Sequence, residues 1–147
     1  MKTEKSVGTI LFFYKLKPHF LILKYNIYGQ THWDFIKGKP EKNETLKQTA
    51  LREIKEESSI KDVKIIPSFK KVLKYSYNKN DGSKATRSVC YLIAGVNENF
   101  KDKVKIGKEH SKYKWVTYSQ SLRYLKFPSQ RKLIKEANNF LENSVTN

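Results

Sequence analysis

Three glutamates within five residues, Glu53, Glu56 and Glu57, are the side chains of this chain best placed to do chemistry. The segment around them, 44–58, contains no Gly or Pro and many good helix formers, and its Leu46, Ala50, Leu51 and Ile54 recur at helical spacing. Residues three and four apart are neighbours on a helix, so the three carboxylates share an arc of roughly 100°. The pattern predicts an apolar face docked on a sheet and a negative cluster facing outward. Like charges at these spacings destabilise a helix by a few tenths of a kcal/mol per pair. They also lie near the C-terminal end, where the helix dipole disfavours anions. Such a placement asks for a compensating cation. Hard carboxylate oxygens suit Mg²⁺, Mn²⁺ or Ca²⁺ rather than zinc, and Mg²⁺ commonly bridges carboxylates to substrate phosphates. The plain alternative is a solvated acidic face paired with Lys47 and Lys55.

The rest of the composition suits a phosphate-rich ligand without requiring one. Thirty Lys and Arg face fourteen Asp and Glu, a formal net charge of +16. That excess attracts polyanions such as nucleotides, RNA or anionic membrane, but the lysines run along the whole chain and also fit a solvated surface. Nine Tyr, eight Phe and two Trp argue against disorder. At 147 residues the chain reads as one domain, residues 1–147, expected to act as a monomer. No apolar run approaches the roughly 18 residues of a spanning helix, and no membrane partner is expected. Residues 7–14 alternate like a strand rather than a leader. The single cysteine, Cys90, excludes an internal disulfide and fits a reducing cytoplasm.

The elements that must position the glutamates can be read from period and punctuation. Residues 6–14 and 19–25, separated by Lys17-Pro18, predict a hairpin. Residues 26–42 read as a loop with one short strand around Trp33-Asp34-Phe35-Ile36. Strands are expected at 63–66 and 113–116, and a second hairpin joins 70–77 to 87–96 through Asn80-Asp81-Gly82-Ser83. Residues 128–142 predict a closing helix whose apolar face is Leu133, Ile134, Ala137, Phe140 and Leu141, with Pro128 at its start. The class is α/β or α+β around a mixed sheet.

Taken in register, Gly38, Glu44, Arg52-Glu53-Ile54, Glu56-Glu57 and Ile60 resemble the signature of the Nudix hydrolase family. The departure is Ser59, where the family usually has the Gly that ends the helix in a left-handed turn. Three further segments are similar to the asymmetrical diadenosine tetraphosphate hydrolases within that family. They are His32-Trp33 with Lys37-Gly38, Phe69 to Tyr75, and Glu109-His110 with Tyr113-Lys114-Trp115.

The resemblance implies an α/β/α sandwich on a mixed sheet and Mg²⁺-dependent hydrolysis of dinucleoside polyphosphates, with Mn²⁺ as a substitute and ATP and AMP as products. It implies that Glu53, Glu56, Glu57 and Glu109 hold the metal, with Glu56 as general base. Lys37, Lys84 and Arg87 would contact phosphates, His32 would donate to one, and Tyr75 and Phe127 would sandwich a base. Gly38, where the backbone is expected to turn sharply, Glu44 at the helix start, and Arg52, expected to pair with Glu56, would be structural. Two other readings stand beside this one: an RNA 5′-pyrophosphohydrolase, and a non-catalytic nucleotide- or RNA-binding module that keeps the fold.

Overall fold

Residues 7–13 of the first strand, β1 (Thr3–Lys15), are all buried. Continuous burial marks a strand covered on both faces rather than one. β1 pairs in parallel with β6 (Lys84–Val96). On its other edge it pairs antiparallel with β2 (Lys17–Ile27) and with β4 (Ile36–Gly38). Outward from this centre, β5 (Val63–Asn78) pairs with β6, while β3 (Gln30–Asp34) and β7 (His110–Val116) pair with β2. The result is a seven-stranded mixed sheet. These coordinates form a computed structural model that describes residues 3–27, 29–107 and 109–146.

Period-2 alternation sorts the apolar side chains onto the two faces. Ile10, Phe12, Phe20, Ile22, Val89, Tyr91 and Ile93 pack beneath α3 (Pro128–Thr146), which contributes Leu133, Ile134, Ala137 and Leu141. Their neighbours Leu11, Leu21, Leu23, Ala94 and Val96 cluster with Ile54 of α1 (Leu46–Ser58), and Val7, Cys90 and Leu92 meet its Ala50. The architecture is therefore an α/β/α sandwich, with α1 and α3 on opposite faces of the sheet.

Several boundaries differ from the sequence reading for local reasons. The expected strands 63–66 and 70–77 are one strand, β5, whose register against β6 slips between Ile65 and Lys70. Pro67 lies in the slip, where a residue without an N–H costs no ladder bond. The loop 26–42 holds two strands, β3 and β4, rather than one. A 3-10 turn (Glu98–Lys103) and the short α2 (Tyr118–Ser121) were not expected, because neither is long enough to show a period. The Asn80–Ser83 turn forms as read: Asp81 Oδ1 accepts from the Ser83 N–H at 2.9 Å, and Gly82 takes φ +87°.

Helix α1 begins after a Thr45 cap, so Glu44 precedes the helix instead of opening it. Thr45 Oγ1 accepts from the Gln48 N–H at 3.1 Å, and Gln48 Oε1 accepts from the Thr45 N–H at 2.9 Å. The helix ends at Ser59 in the left-handed conformation, φ 66°, with its N–H donating to the Lys55 carbonyl at 2.9 Å. A side chain pays a steric cost there that Gly avoids. Ser59→Gly is expected to stabilise the protein by about 0.5–1 kcal/mol, after loss of the Ser59 Oγ bond to the Lys105 carbonyl. Thermal melting checks this through a rise in Tm of a few degrees, and a fall would contradict it.

Candidate active site

Arg52 organises the outer wall of the site. Its Nε donates to Glu44 Oε2 at 2.7 Å, and its Nη2 donates to Glu44 Oε1 at 2.9 Å and to the Lys39 carbonyl at 2.8 Å. Nη1 donates to Glu53 Oε1 at 2.7 Å and to Glu56 Oε2 at 3.2 Å. The expected Arg52–Glu56 pair is thus the longest of these contacts. The bidentate fork goes to Glu44, a geometry that guanidinium and carboxylate match well. Glu44 also accepts from the Glu41 N–H and the Thr49 hydroxyl. Hydrogen bonds from Arg52 and from that N–H hold its carboxyl down at about 2. Glu44 is therefore the anchor of Arg52 rather than a dipole-stabilising residue of the first turn.

Gly38 is not a turn residue either. It lies in β4, and a Cβ on it would fall 2.0 Å from Glu53 Cδ. Glycine is required because α1 brings the Glu53 carboxyl against the strand backbone. The expectation of an outward acidic cluster needs the same correction. The Glu53 and Glu57 side chains are only 12% and 11% exposed, and Glu56 alone opens to solvent, at 55%. The buried stripe of α1 is Thr49, Ala50, Ile54, Glu57 and Ser58, while Leu46 is exposed. Glu53 follows Ala50 by three residues and Glu57 follows Ile54 by three, so both flank the face that docks on the sheet.

Burial leaves Glu57 short of partners. Among the described residues its Oε2 has no hydrogen-bond partner, and neither ring nitrogen of the buried His110 has one. His110 Nε2 stands 3.5 Å from Glu57 Oε1. Glu109, on the loop before β7, brings a carboxylate oxygen to the same point, so that one ligand atom from each of Glu57, Glu109 and His110 lies within 4.8 Å of the others. Burial, helped by the charges of Glu53 and Glu109, pushes the Glu57 carboxyl up to about 8, and burial lowers the His110 imidazole. An orphaned buried oxygen beside a second carboxylate is a costly arrangement that a divalent cation relieves. These residues fit such a cation. His110 was missed as a site residue; its one signal in the sequence is its place directly after Glu109.

A cleft of about 640 Å³ opens over this group, bounded by Lys37 to Lys39 on one side and by Gly107, Glu109 and His110 on the other, with Glu53, Glu56 and Glu57 on its floor. Lys37 also lines a second cavity of about 410 Å³ with His32, Tyr75, Tyr91, Phe127 and Leu133. The Lys37 ammonium is held 2.8 Å from Asp34. Tyr25, also unpredicted, touches one residue of each space. Its ring meets His110 edge-on at 4.3 Å and stacks on His32 at 5.6 Å, and its hydroxyl donates to the Phe35 carbonyl at 2.9 Å. The structure thus brings His32, Lys37, Tyr75 and Phe127 to one cavity beside the acidic cleft, with Tyr75 and Phe127 half-exposed. Neither Lys84 nor Arg87 is in either lining, although the Arg87 side chain is hydrogen-bonded to Tyr75 of the cavity wall. Lys84 is exposed at the hairpin end, and Arg87 donates to Glu4 at 3.0 Å and lies 5.0 Å from the Tyr77 ring.

The NUDIX domain pattern matches residues 3–137. The chain belongs to the Nudix family. Over 93% of its length it is 30% identical to the pig (Sus scrofa) bis(5′-nucleosyl)-tetraphosphatase [asymmetrical], of which 95% is covered. It also superposes on a C. elegans Ap4A hydrolase, solved as a binary complex, with TM-score 0.80 and 26% identity over 95% of this chain and 98% of that one. An E. coli dihydroneopterin triphosphate pyrophosphohydrolase shares the Nudix fold at TM-score 0.71 and 18% identity, over 91% of this chain and 94% of that one. The chain is thus a Nudix hydrolase related to enzymes of nucleoside polyphosphates.

Proposed function

We propose that this Nudix hydrolase cleaves dinucleoside tetraphosphates asymmetrically, taking diadenosine tetraphosphate and water to ATP and AMP. One observation carries the reading. The acidic cleft and the aromatic cavity share Lys37 as a common wall, so a polyphosphate can lie over the glutamates while a base enters between Tyr75 and Phe127. The names of the pig and C. elegans relatives support the same choice.

In this reading Glu53, Glu56, Glu57 and Glu109 would hold Mg²⁺, for which Mn²⁺ could substitute, and such an ion would supply charge neutralisation for the phosphates and a lower pKa for a bound water. Water attacks a phosphorus in line. Glu56 takes its proton, being the carboxylate of the helix that opens to solvent. Lys37 and His32 donate to phosphate oxygens. Lys84 and Arg87 are assigned to further phosphates on the resemblance, and Arg87 would exchange Glu4 for a phosphate oxygen. Tyr75 and Phe127 stack on one base, a contact of roughly 1–3 kcal/mol that tolerates different bases. Gly38, Glu44 and Arg52 keep the wall in place. Every group comes from one chain, which suits a monomer, and the lone Cys90 suits a reducing compartment such as the cytoplasm.

Product identification tests the reading. ATP and AMP in equal amounts are expected from diadenosine tetraphosphate, and two ADP would overturn the asymmetric assignment. A clear preference for triphosphorylated RNA over the dinucleotide would favour the RNA 5′-pyrophosphohydrolase. Tyr75→Ala is expected to raise KM by about fivefold or more with kcat largely retained. An unchanged KM would remove Tyr75 from the base site.

A further inference from the structure

The free edge of β7 carries a second basic surface that the proposed reaction does not use. β7 pairs only with β2 among the described residues. In that pairing Lys112 stands directly opposite Lys24, and Lys114 follows on the same face opposite Ile22. Like charges placed directly across a ladder destabilise it. Arg123 and Lys126 are exposed just after α2. None of these five cations is in an ion pair of the described residues, in a chain where Lys37, Arg52 and Arg87 each have an acidic partner.

Aromatic rings are set among the charges. Lys114 Nζ lies 5.3 Å from the Tyr124 ring, and Tyr124 meets Trp33 edge-on at 5.3 Å. Lys114, Arg123, Gln120 and Tyr124 line a groove of about 520 Å³ with Tyr113 and Trp115. The groove shares no lining residue with the cleft or the aromatic cavity, but two chain segments run from one to the other. β7 starts at His110, so Lys112 and Lys114 lie roughly 7 and 14 Å along the strand from it. Trp33 is next to His32, which lines the base cavity.

We propose that this groove, together with the Lys24–Lys112 pair beyond its lining on the β2–β7 ladder, binds single-stranded nucleic acid, with Lys24, Lys112, Lys114 and Arg123 on phosphates and Tyr124 beside a base. Cations interleaved with half-buried rings in a concave track suit separated bases and phosphates, because stacking is indifferent to base identity and the charges follow the backbone. A membrane surface would need an exposed apolar wedge among the lysines instead. The proposal concerns binding and stands apart from the dinucleotide reaction.

The test measures fluorescence anisotropy of the full chain with a labelled oligouridine RNA of about 12 nucleotides carrying a 5′-hydroxyl, so hydrolysis plays no part. One variant combines Lys24→Gln, Lys112→Gln, Lys114→Gln and Arg123→Gln. A control removes the same charge elsewhere, through Lys47→Gln, Lys61→Gln, Lys79→Gln and Lys132→Gln. A lighter pair, Lys112→Gln with Arg123→Gln, is read the same way should the fourfold variant fail to melt like the parent. Four phosphates on a single strand contribute about 2.8 to the salt slope, or about 50-fold in affinity between 50 and 200 mM salt. The groove variant is expected to lose that part of the slope and at least about tenfold in affinity at low salt, while the control stays near the parent. Equal weakening of both variants would overturn the proposal. So would a parent chain that ignores the RNA yet binds phosphatidylserine vesicles.

Discussion

Glu57→Gln is expected to lower turnover by on the order of a hundredfold or more, and to stabilise the metal-free protein at the same time. Both effects follow from one burial. The Glu57 carboxyl is nearly covered, has an oxygen without a partner among the described residues and shares its space with Glu53, Glu109 and His110. Without a cation the folded chain keeps its proton up to about pH 8, whereas the unfolded chain releases it near 4.5. Between those values the native state binds more protons than the unfolded one, so stability falls as pH rises, by at most about 1.4 kcal/mol per pH unit. Gln keeps the shape and removes the charge. The variant should therefore melt higher than the parent at pH 8 in EDTA and lose the pH slope. Calorimetric melts across pH 5–8 check this against turnover in Mg²⁺. A variant that melts lower at pH 8 in EDTA, or that turns over normally, would show that Glu57 is an ordinary structural carboxyl.

The second large effect is expected from a single methyl group. Gly38→Ala puts a Cβ where the Glu53 carboxyl stands. Neither side can yield cheaply: the strand is paired with β1, and Glu53 is held at 2.7 Å by Arg52, itself forked onto Glu44. Overpacking of this kind costs about 1–3 kcal/mol. Pushing Glu53 aside also disturbs the wall of the cleft, so a drop in turnover of at least about tenfold accompanies the fall in Tm. Glu53→Ala on the same background removes the obstacle, so the two stability losses should be far from additive. A double-mutant cycle by thermal melting reads the coupling. Additive losses would mean that Gly38 is needed for the backbone after all.

Much of this site was legible from spacing alone. Residues 53, 56 and 57 share one side of a helix by their spacing, and the apolar runs at 6–14, 19–25 and 87–96, set off by Lys17-Pro18 and the Asn80–Ser83 turn, read as strands. Spacing along a helix gives angular separation, however, and not the direction of the docking face. It suggested that the carboxylates point outward and that Leu46 packs inward, whereas the stripe is rotated toward Glu53 and Glu57. Partners distant in sequence were hidden in the same way. Arg52 lies four residues from Glu56, and the more distant Glu44 holds it because the chain before the Thr45 cap folds back alongside the helix. His110 and Tyr25 could not be ranked, since a lone His or Tyr on a strand is most often packing. Only the β2–β7 pairing brings them together over Glu57. Gly38 matched the signature, but the reason for glycine there became visible only once Glu53 could be seen against it.

The proposed reaction requires the carboxylates of α1 and Glu109 to hold a divalent cation against a polyphosphate. Turnover of diadenosine tetraphosphate in EDTA, followed by titration with Mg²⁺ and then Mn²⁺, decides whether it does. The expected result is no turnover without metal and saturable recovery with either ion. Turnover that is the same in EDTA as in Mg²⁺ would contradict a role for any divalent cation in the reaction.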